Sequence, residues 1–457
     1  MSTGDLKTDY QKAIEELPNS PMFNLSLSSK ELFHSNFLYW LYSLNKDAFK
    51  SLIETVLEVD TKEWDEGWVA KREYNNFDLC IVQNAVQDKN NARVKKKQAE
   101  RLLLVVENKV KSIPTKEQLE RYNEKIKRKY GNIENIEKIL LSLTETNLKV
   151  DEWKYVSYQS ICEWLLKQVE DHTFSSRKTK TPGQQTIQDD STSELTYEEG
   201  IIRDYATFVK GLIVLTDEWK KDVEKDEDNI FLLDYEERDT KNEDNNQVEN
   251  LKIEDNTSDK TPEKYKQAKA LRIHDLYGKY RFAILRNKLT DKLSECTDSK
   301  SITTQIAYTN SQPILEVKIT GVGEAEDKSQ QKESEAFFIS IQGKQYRHAI
   351  NARDKGANTK DERVKESKEK CTKTQKWHWF MNPTAHPNNE QNKCFPKNDC
   401  LLNSGQRKNN NVCSFVGRGG VNYIYQYKKI SPTATVKDIL NILVNDVKNI
   451  ITNHNKS

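Results

Sequence analysis

Along the first half of the chain, hydrophobic positions switch between helical and strand periods. Phe33, Phe37, Trp40, Leu41 and Leu44 form an apolar stripe at helical spacing. A helix is expected to open at Ser28 and carry this stripe, with a second at 46–57. A strand at 68–74 and another around Asp78 come next. Residues 102–106 are an unbroken Leu and Val run, the mark of a strand buried on both faces of a sheet. A further helix should start at Pro114, a favoured first helical position, with Leu119, Tyr122, Ile126 and Tyr130 inward. One more strand is expected at 136–143, then amphipathic helices at 158–169 and 198–215. Between those two helices, 172–196 holds Pro182, Gly183 and many Ser, Thr and Gln, and reads as a loop or flexible insert. Helix, three strands, helix, strand, then helices suits one mixed α/β domain with its site at a sheet edge.

The pattern breaks at 217–262, which is polar, mostly acidic and poor in apolar residues. A linker between a domain at 1–216 and another at 263–457 is expected there, with an acidic cover over a basic groove as the other reading. The second domain reads as α+β. It should hold a long helix at 265–296, strands at 301–308 and 314–320, and a hairpin at 336–350 turning at Gly343. Strands at 411–416 and 421–430 follow, and Val436, Ile439, Leu440, Leu443, Val447, Ile450 and Ile451 mark a closing helix. No motif of known function stands out in this half. Trp377, Trp379 and Phe380 beside a Lys-rich run at 360–376 suit either a core cluster or base stacking. His386, Cys394, Cys400 and Cys413 lack the paired spacing of a zinc finger.

Composition adds constraints. The chain has 457 residues, room for two or three domains, with 31% charged and 35% hydrophobic positions. The formal net charge is only +1, so any surface for nucleic acid must be local. No stretch approaches 18 apolar residues, and the N-terminus lacks the basic-then-apolar pattern of a signal peptide. Seven widely and irregularly spaced cysteines suggest no disulfide framework. A reducing cytoplasm is the expected compartment.

The candidate chemistry sits where the 102–106 run meets Glu107, Asn108 and Lys109. Glu107 and Lys109 are two residues apart, so on a strand they point to the same side. A carboxylate and an ammonium there are costly to bury without partners. Together they suit a hard cation and an oriented water. Asp78 lies 107 − 78 = 29 positions upstream, after the turn-like Asn75 and Asn76, enough for one hairpin with a long loop. Two carboxylates on adjacent strands suit Mg²⁺, which takes one or two carboxylates and keeps several waters.

Asp78 and the Glu107-Asn108-Lys109 triplet resemble the PD-(D/E)xK nuclease superfamily. Residues 30–41 are similar to the N-terminal helix of one branch, which brings a Glu, here Glu31. Residues 117–122 are similar to the helix after the ExK strand, which often brings a Gln, here Gln118. The resemblance spans about residues 23–215. It implies a restriction-endonuclease-like mixed sheet flanked by helices, followed by the separate α+β domain. It also implies a nuclease dependent on Mg²⁺ or Mn²⁺, with DNA favoured as substrate. In that frame Asp78, Glu107 and the backbone carbonyl of Asn108 hold the metal, and Glu31 ligates a second one. Lys109 positions the water, and Gln118 orients water or phosphate. Phe77 stands where the family name has Pro.

The residues alone leave other readings open. Ser28 and Glu31 have the spacing of a capping box, Gln118 could face solvent, and His34 could be packed or catalytic. The loop at 87–100 carries Lys89, Arg93, Lys95, Lys96 and Lys97. It reads as a solvated surface or, beside a nuclease site, as a phosphate contact. Two rivals to a nuclease remain. One is a fold relative that binds nucleic acid without cutting it. The other is a scaffold or defence-system subunit whose C-terminal domain captures a protein partner.

Overall fold

The computed structural model describes residues 8–83, 100–112, 114, 116–131, 135–143, 150, 152–174, 195–233, 261–295, 302–309, 312–319, 337–351, 401–402, 415–418 and 421–454. They fall into two compact units. One comprises Met1–Trp219 and Ala270–Leu276, the other Lys220–Lys269 and Tyr277–Ser457.

The first unit opens with α1 (Asp9–Glu16), α2 (Pro21–Leu44) and α3 (Lys46–Thr55). Three strands follow, β1 (Trp68–Tyr74), β2 (Phe77–Gln83) and β3 (Arg101–Lys109). After them come α4 (Lys116–Tyr130), β4 (Glu137–Ser142), β5 (Lys154–Ser157), α5 (Tyr158–Glu170) and α6 (Tyr197–Glu224). The sheet order is β1-β2-β3-β4-β5. The first two pairings are antiparallel and the last two parallel, giving a mixed sheet.

Its register follows from the turn chemistry. Tyr74 pairs with Phe77, and the two residues between them, Asn75 and Asn76, have φ of 56° and 58°. Left-handed backbone at both centres of a two-residue turn matches the twist of a hairpin, and Asn tolerates it. Asp78 is thereby placed just past the turn. Leu79 pairs with Val106, which sets Asp78 across from Glu107.

The β2–β3 pair presents two packed faces, with the alternation interrupted where the register shifts between Ile81 and Val82. Phe77, Cys80, Val82, Leu102 and Val105 pack with Ile126 and Tyr122 of α4. Leu79, Ile81, Leu104 and Val106 meet Leu38 of α2, Phe49 and Leu52 of α3 and Ile161 of α5. Every residue from Leu102 to Lys109 is buried, so β3 is the central, doubly covered strand.

α2 starts at Ser20 and not at Ser28. The Ser20 Oγ accepts from Phe23 N at 3.2 Å, Pro21 occupies the first turn, and Asp204 of α6 accepts from Ser20 Oγ at 2.9 Å. A cap followed by Pro is a stronger start than a Ser inside a run that continues helical. The capping-box reading of Ser28 and Glu31 is thereby overturned. Strand β5 was missed because it is only four residues long and runs straight into α5.

α7 (Glu263–Ala270) and α8 (His274–Ser294), which belong to the second unit except for Ala270–Leu276, replace the single helix expected at 265–296. Arg272, with φ 60°, breaks the run. The strands are β6 (Ile302–Thr309), β7 (Gln312–Ile319), β8 (Phe337–Gln342), β9 (Gln345–Asn351), β10 (Leu401–Leu402), β11 (Phe415–Arg418) and β12 (Val421–Lys429), closed by α9 (Val436–His454). They pair antiparallel in the order β10-β12-β9-β8-β7-β6, with β11 also on β12. The β8–β9 hairpin turns at Gly343, φ 53°.

The stretch expected as a linker is partly built into structure. Helix α6 continues to Glu224. Phe231 and Leu232 join the core made by α8, the sheet and α9. Arg281 donates to the carbonyls of Phe231, at 2.6 Å, and Ile230. Residues 234–260 lie outside the described residues, as do the aromatic patch at 376–380 and His386, Cys394, Cys400 and Cys413.

The two candidate starts of α2 can be separated by mutation. Ser20→Ala should lower stability by about 1 kcal/mol through loss of the cap. Ser28→Ala, inside the helix where Ala is the better former, should cost nothing. Urea denaturation of both variants reads the difference, and the reverse ranking would return the cap to Ser28.

Candidate active site

The end of β3 carries the charged cluster. Glu107 is 2% exposed and Lys109 6% exposed. The Lys109 Nζ donates to Glu107 Oε1 at 2.5 Å. Helix α4 adds two more donors to the same oxygen, Gln118 Nε2 at 3.0 Å and Tyr122 OH at 3.3 Å. Gln118 Nε2 also lies 3.1 Å from Tyr122 OH. Oε1 is therefore saturated, while Glu107 Oε2 is buried with no hydrogen-bond partner. A buried carboxylate oxygen without a donor is costly, and its lone pairs fit a cation.

Asp78 completes the pair of acids. Its Oδ2 accepts from the backbone N–H of Asn108 at 2.7 Å, and its carboxyl interacts with that of Glu107. The turn that delivers it is held by α4. Lys125 Nζ donates to Asn75 O, Lys129 Nζ to Asn75 Oδ1, and Asn75 Nδ2 to Tyr130 OH at 2.7 Å. One face of α4 thus fixes both acids, through Gln118 and Tyr122 at one end and Lys125 and Lys129 at the other.

Glu31 of α2 reaches the end of β3. Its Oε2 accepts from Val110 N at 2.7 Å, and its Oε1 from Lys111 N at 2.9 Å and Ser112 Oγ at 2.7 Å. It caps the backbone leaving β3. Among the described residues, no group of three or more His, Cys, Asp or Glu is arranged to hold a metal ion. The structure therefore brings Asp78, Glu107, Lys109 and Gln118 together, with the Asn108 peptide between the acids. Glu31 stays within electrostatic reach of Lys109.

The charges behave as a buried cluster should. Burial raises the Asp78 carboxyl above its usual range, against the opposing pull of Lys109. Burial likewise pushes Glu107 up to about 7, with Lys109 opposing and Asp78 adding. Burial would pull Lys109 down, but Glu107, Glu31 and Asp78 outweigh it and keep its ammonium charged above the ordinary value. Two acids thus share one cation, and the cluster carries surplus negative charge whenever both are ionised.

Residues 22–189 match the family model of the PD-(D/E)XK nuclease superfamily. No curated protein and no solved structure matches the chain. The PD-(D/E)XK match covers the whole cluster and the five-stranded sheet that carries it, and it points to a nuclease. The fold is the mixed, helix-flanked sheet expected of a restriction-endonuclease-like domain.

Two residues at this site escaped sequence reading. Tyr122 was assigned to the inner stripe of α4, and it does pack on Phe77 while its hydroxyl reaches Glu107. Its signal was the spacing Gln118 to Tyr122, one helical turn on the same face. Lys111 is buried and donates to Ser26 O at 2.5 Å and Ser26 Oγ at 3.0 Å. His34 is fully buried in an aromatic cluster, held well below its ordinary pKa by burial and Lys111, and reads as packed.

Arg93, Lys95, Lys96 and Lys97, in the stretch expected as a loop, lie outside the described residues. Gln83 and Arg101, which bound that loop, pair at the end of β2 and β3 away from the acids. Five residues separate Asp78 from Gln83, about 17 Å along a strand.

The Glu107 shift has a consequence for metal-free protein. The folded chain holds this proton more tightly than the unfolded chain, whose value is near 4.5. Stability should therefore be greatest at the acid end of the window from about 4.5 to about 7 and fall as pH rises through it. The Asp78 shift acts in the same sense. The Glu107 contribution is on the order of 3 kcal/mol. Urea denaturation in EDTA at about pH 5 and about pH 8 should show a smaller pH-dependent loss in Glu107→Gln than in wild type. Equal losses would mean Glu107 is not the group responsible.

Proposed function

We propose that the N-terminal unit is a Mg²⁺- or Mn²⁺-dependent nuclease that hydrolyses phosphodiester bonds in DNA. The observation that carries this reading is the pair of half-buried Asp78 and buried Glu107, with Glu107 Oε2 left without a donor inside the segment that matches the superfamily. Asp78, Glu107 and the Asn108 carbonyl would hold the cation. When bound, it supplies Lewis-acid polarisation of the phosphate and a more acidic water.

The chain's own residues do the rest. Gln118, Tyr122 and Lys109 fix Glu107 through one oxygen and leave the other available. Lys109 is the one ammonium bonded to Glu107 among the described residues, and its charge stabilises negative charge developing on the phosphate. Glu31 holds the strand end in place. Arg93, Lys95, Lys96 and Lys97 would contact the phosphate backbone of the nucleic acid.

Two tests bear on this. Purified full-length protein should cut plasmid or linear DNA with Mg²⁺ or Mn²⁺ and not with EDTA, with single-stranded RNA as the comparison substrate. Lys109→Ala should slow cutting by about 10²-fold or more while DNA is still bound, because the lost interaction belongs mainly to the transition state. A wild type that binds DNA but cuts none of these substrates would favour the non-cleaving binder. Lys109→Ala cutting at the wild-type rate would remove Lys109 from the mechanism.

The second test concerns binding. Replacing Lys95, Lys96 and Lys97 with Ala should weaken DNA binding across all sequences and flatten its salt dependence. The slope of log affinity on log salt should fall by up to about 3. An unchanged slope would return the loop to solvated surface.

A further inference from the structure

Behind the site, on the sheet face opposite α4, lies a second set of polar groups. The Asn108 side chain is fully buried there. Its Nδ2 donates to Ser35 Oγ of α2 at 3.0 Å, and its Oδ1 accepts from Tyr158 OH of α5 at 3.0 Å. Ser35 Oγ in turn donates to Glu31 O at 3.3 Å. Tyr158 also interacts with the hydroxyl of Tyr205, which lies 2.9 Å from His34 Nδ1. Ser35, Tyr158, Tyr205, His34 and Asn108 all have 0% exposure.

A core of this depth needs no polar groups for stability. Each one must be desolvated and then satisfied, and apolar side chains of similar volume would pack at least as well. What the network does is fix one amide. With both ends of its side chain held, Asn108 has no rotamer freedom. Its backbone N–H is the donor that holds Asp78 Oδ2 at 2.7 Å, and the same peptide joins it to Glu107. The orientation of that peptide sets where one acid stands relative to the other.

We propose that Tyr158 and Ser35 are positioning residues for the metal-binding end of β3. They act through Asn108, from the face away from the substrate, and set the separation of Asp78 and Glu107. This rests on the reading of the two acids as cation ligands.

The test is direct Mn²⁺ binding by calorimetry, without substrate, at a temperature where every variant is folded. Tyr158→Phe removes one hydroxyl and keeps the ring. It should weaken Mn²⁺ binding by about tenfold or more, as loss of partners behind metal ligands does. Ser35→Ala should shift binding in the same direction, and it carries the test if Tyr158→Phe does not fold. Tyr346→Phe is the control. It removes an equally buried hydroxyl, donated to Asp446 Oδ2 at 2.6 Å in the second unit, and should leave Mn²⁺ affinity unchanged. Wild-type affinity in both Tyr158→Phe and Ser35→Ala would overturn the proposal while leaving the metal reading intact. An equal loss in Tyr346→Phe would overturn it too, because the effect would then be general destabilisation. A wild type that takes up no Mn²⁺ would sink both readings together.

Discussion

A carboxylate and an ammonium stand inside the protein at the end of β3, and the first unit is arranged around the cost of keeping them there. Neither charge is tolerable alone in a low-dielectric interior. Glu107 Oε1 collects Lys109, Gln118 and Tyr122. Just past them the chain leaves the sheet, where backbone N–H groups would otherwise be orphaned, and Glu31 accepts two of them. Lys111 is buried in the next step and finds Ser26. Helix α2 thus grips residues 108–112 through Ser26, Glu31 and Ser35, while α4 grips Glu107 and the Asn75 turn. The strand end is clamped from both faces of the sheet, which is the condition for holding acids at a defined separation.

Topology makes this clamp possible. An antiparallel β2–β3 pair puts the start of one strand beside the end of the other, so Asp78 and Glu107 meet although 29 positions apart in sequence. Gln83 and Arg101 pair at the opposite end of these two strands.

Much of this was legible because it rests on short-range rules. The 102–106 run has only one sensible reading, Asn75 and Asn76 announce a two-residue turn, and period two puts Glu107 and Lys109 on one side. The strand at 68–74 came out at Trp68–Tyr74. What stayed hidden depends on tertiary partners. Ser28 and Glu31 have the spacing of a cap, but Ser20 and Pro21 begin the helix earlier and free Glu31 to reach residues 110–112. Tyr158 is an ordinary apolar-stripe residue in sequence, and only the sheet shows its hydroxyl meeting Asn108. The break at Arg272 has no glycine or proline to mark it, since a non-Gly residue adopts the left-handed conformation there.

The hydrogen bonds of Glu31 also bear on how many cations the proposed site takes. Moving Glu31 out of this position to reach a cation would strip acceptors from Val110 N–H, Lys111 N–H and Ser112 Oγ. Each donor left buried and unpaired costs about 1–3 kcal/mol. Asp78 and Glu107 need no such exchange, because Glu107 Oε2 already lacks a donor. Mg²⁺ is satisfied by one or two carboxylates with water filling its remaining positions. With Lys109 charged, the two ionised acids leave one negative charge in excess, and a single divalent cation reverses that sign at the place where a phosphodiester must approach. A second cation would need a ligand that the strand end is already using to stay in position. This supports a one-cation form of the proposed nuclease reading, in which Lys109 would supply the other positive charge.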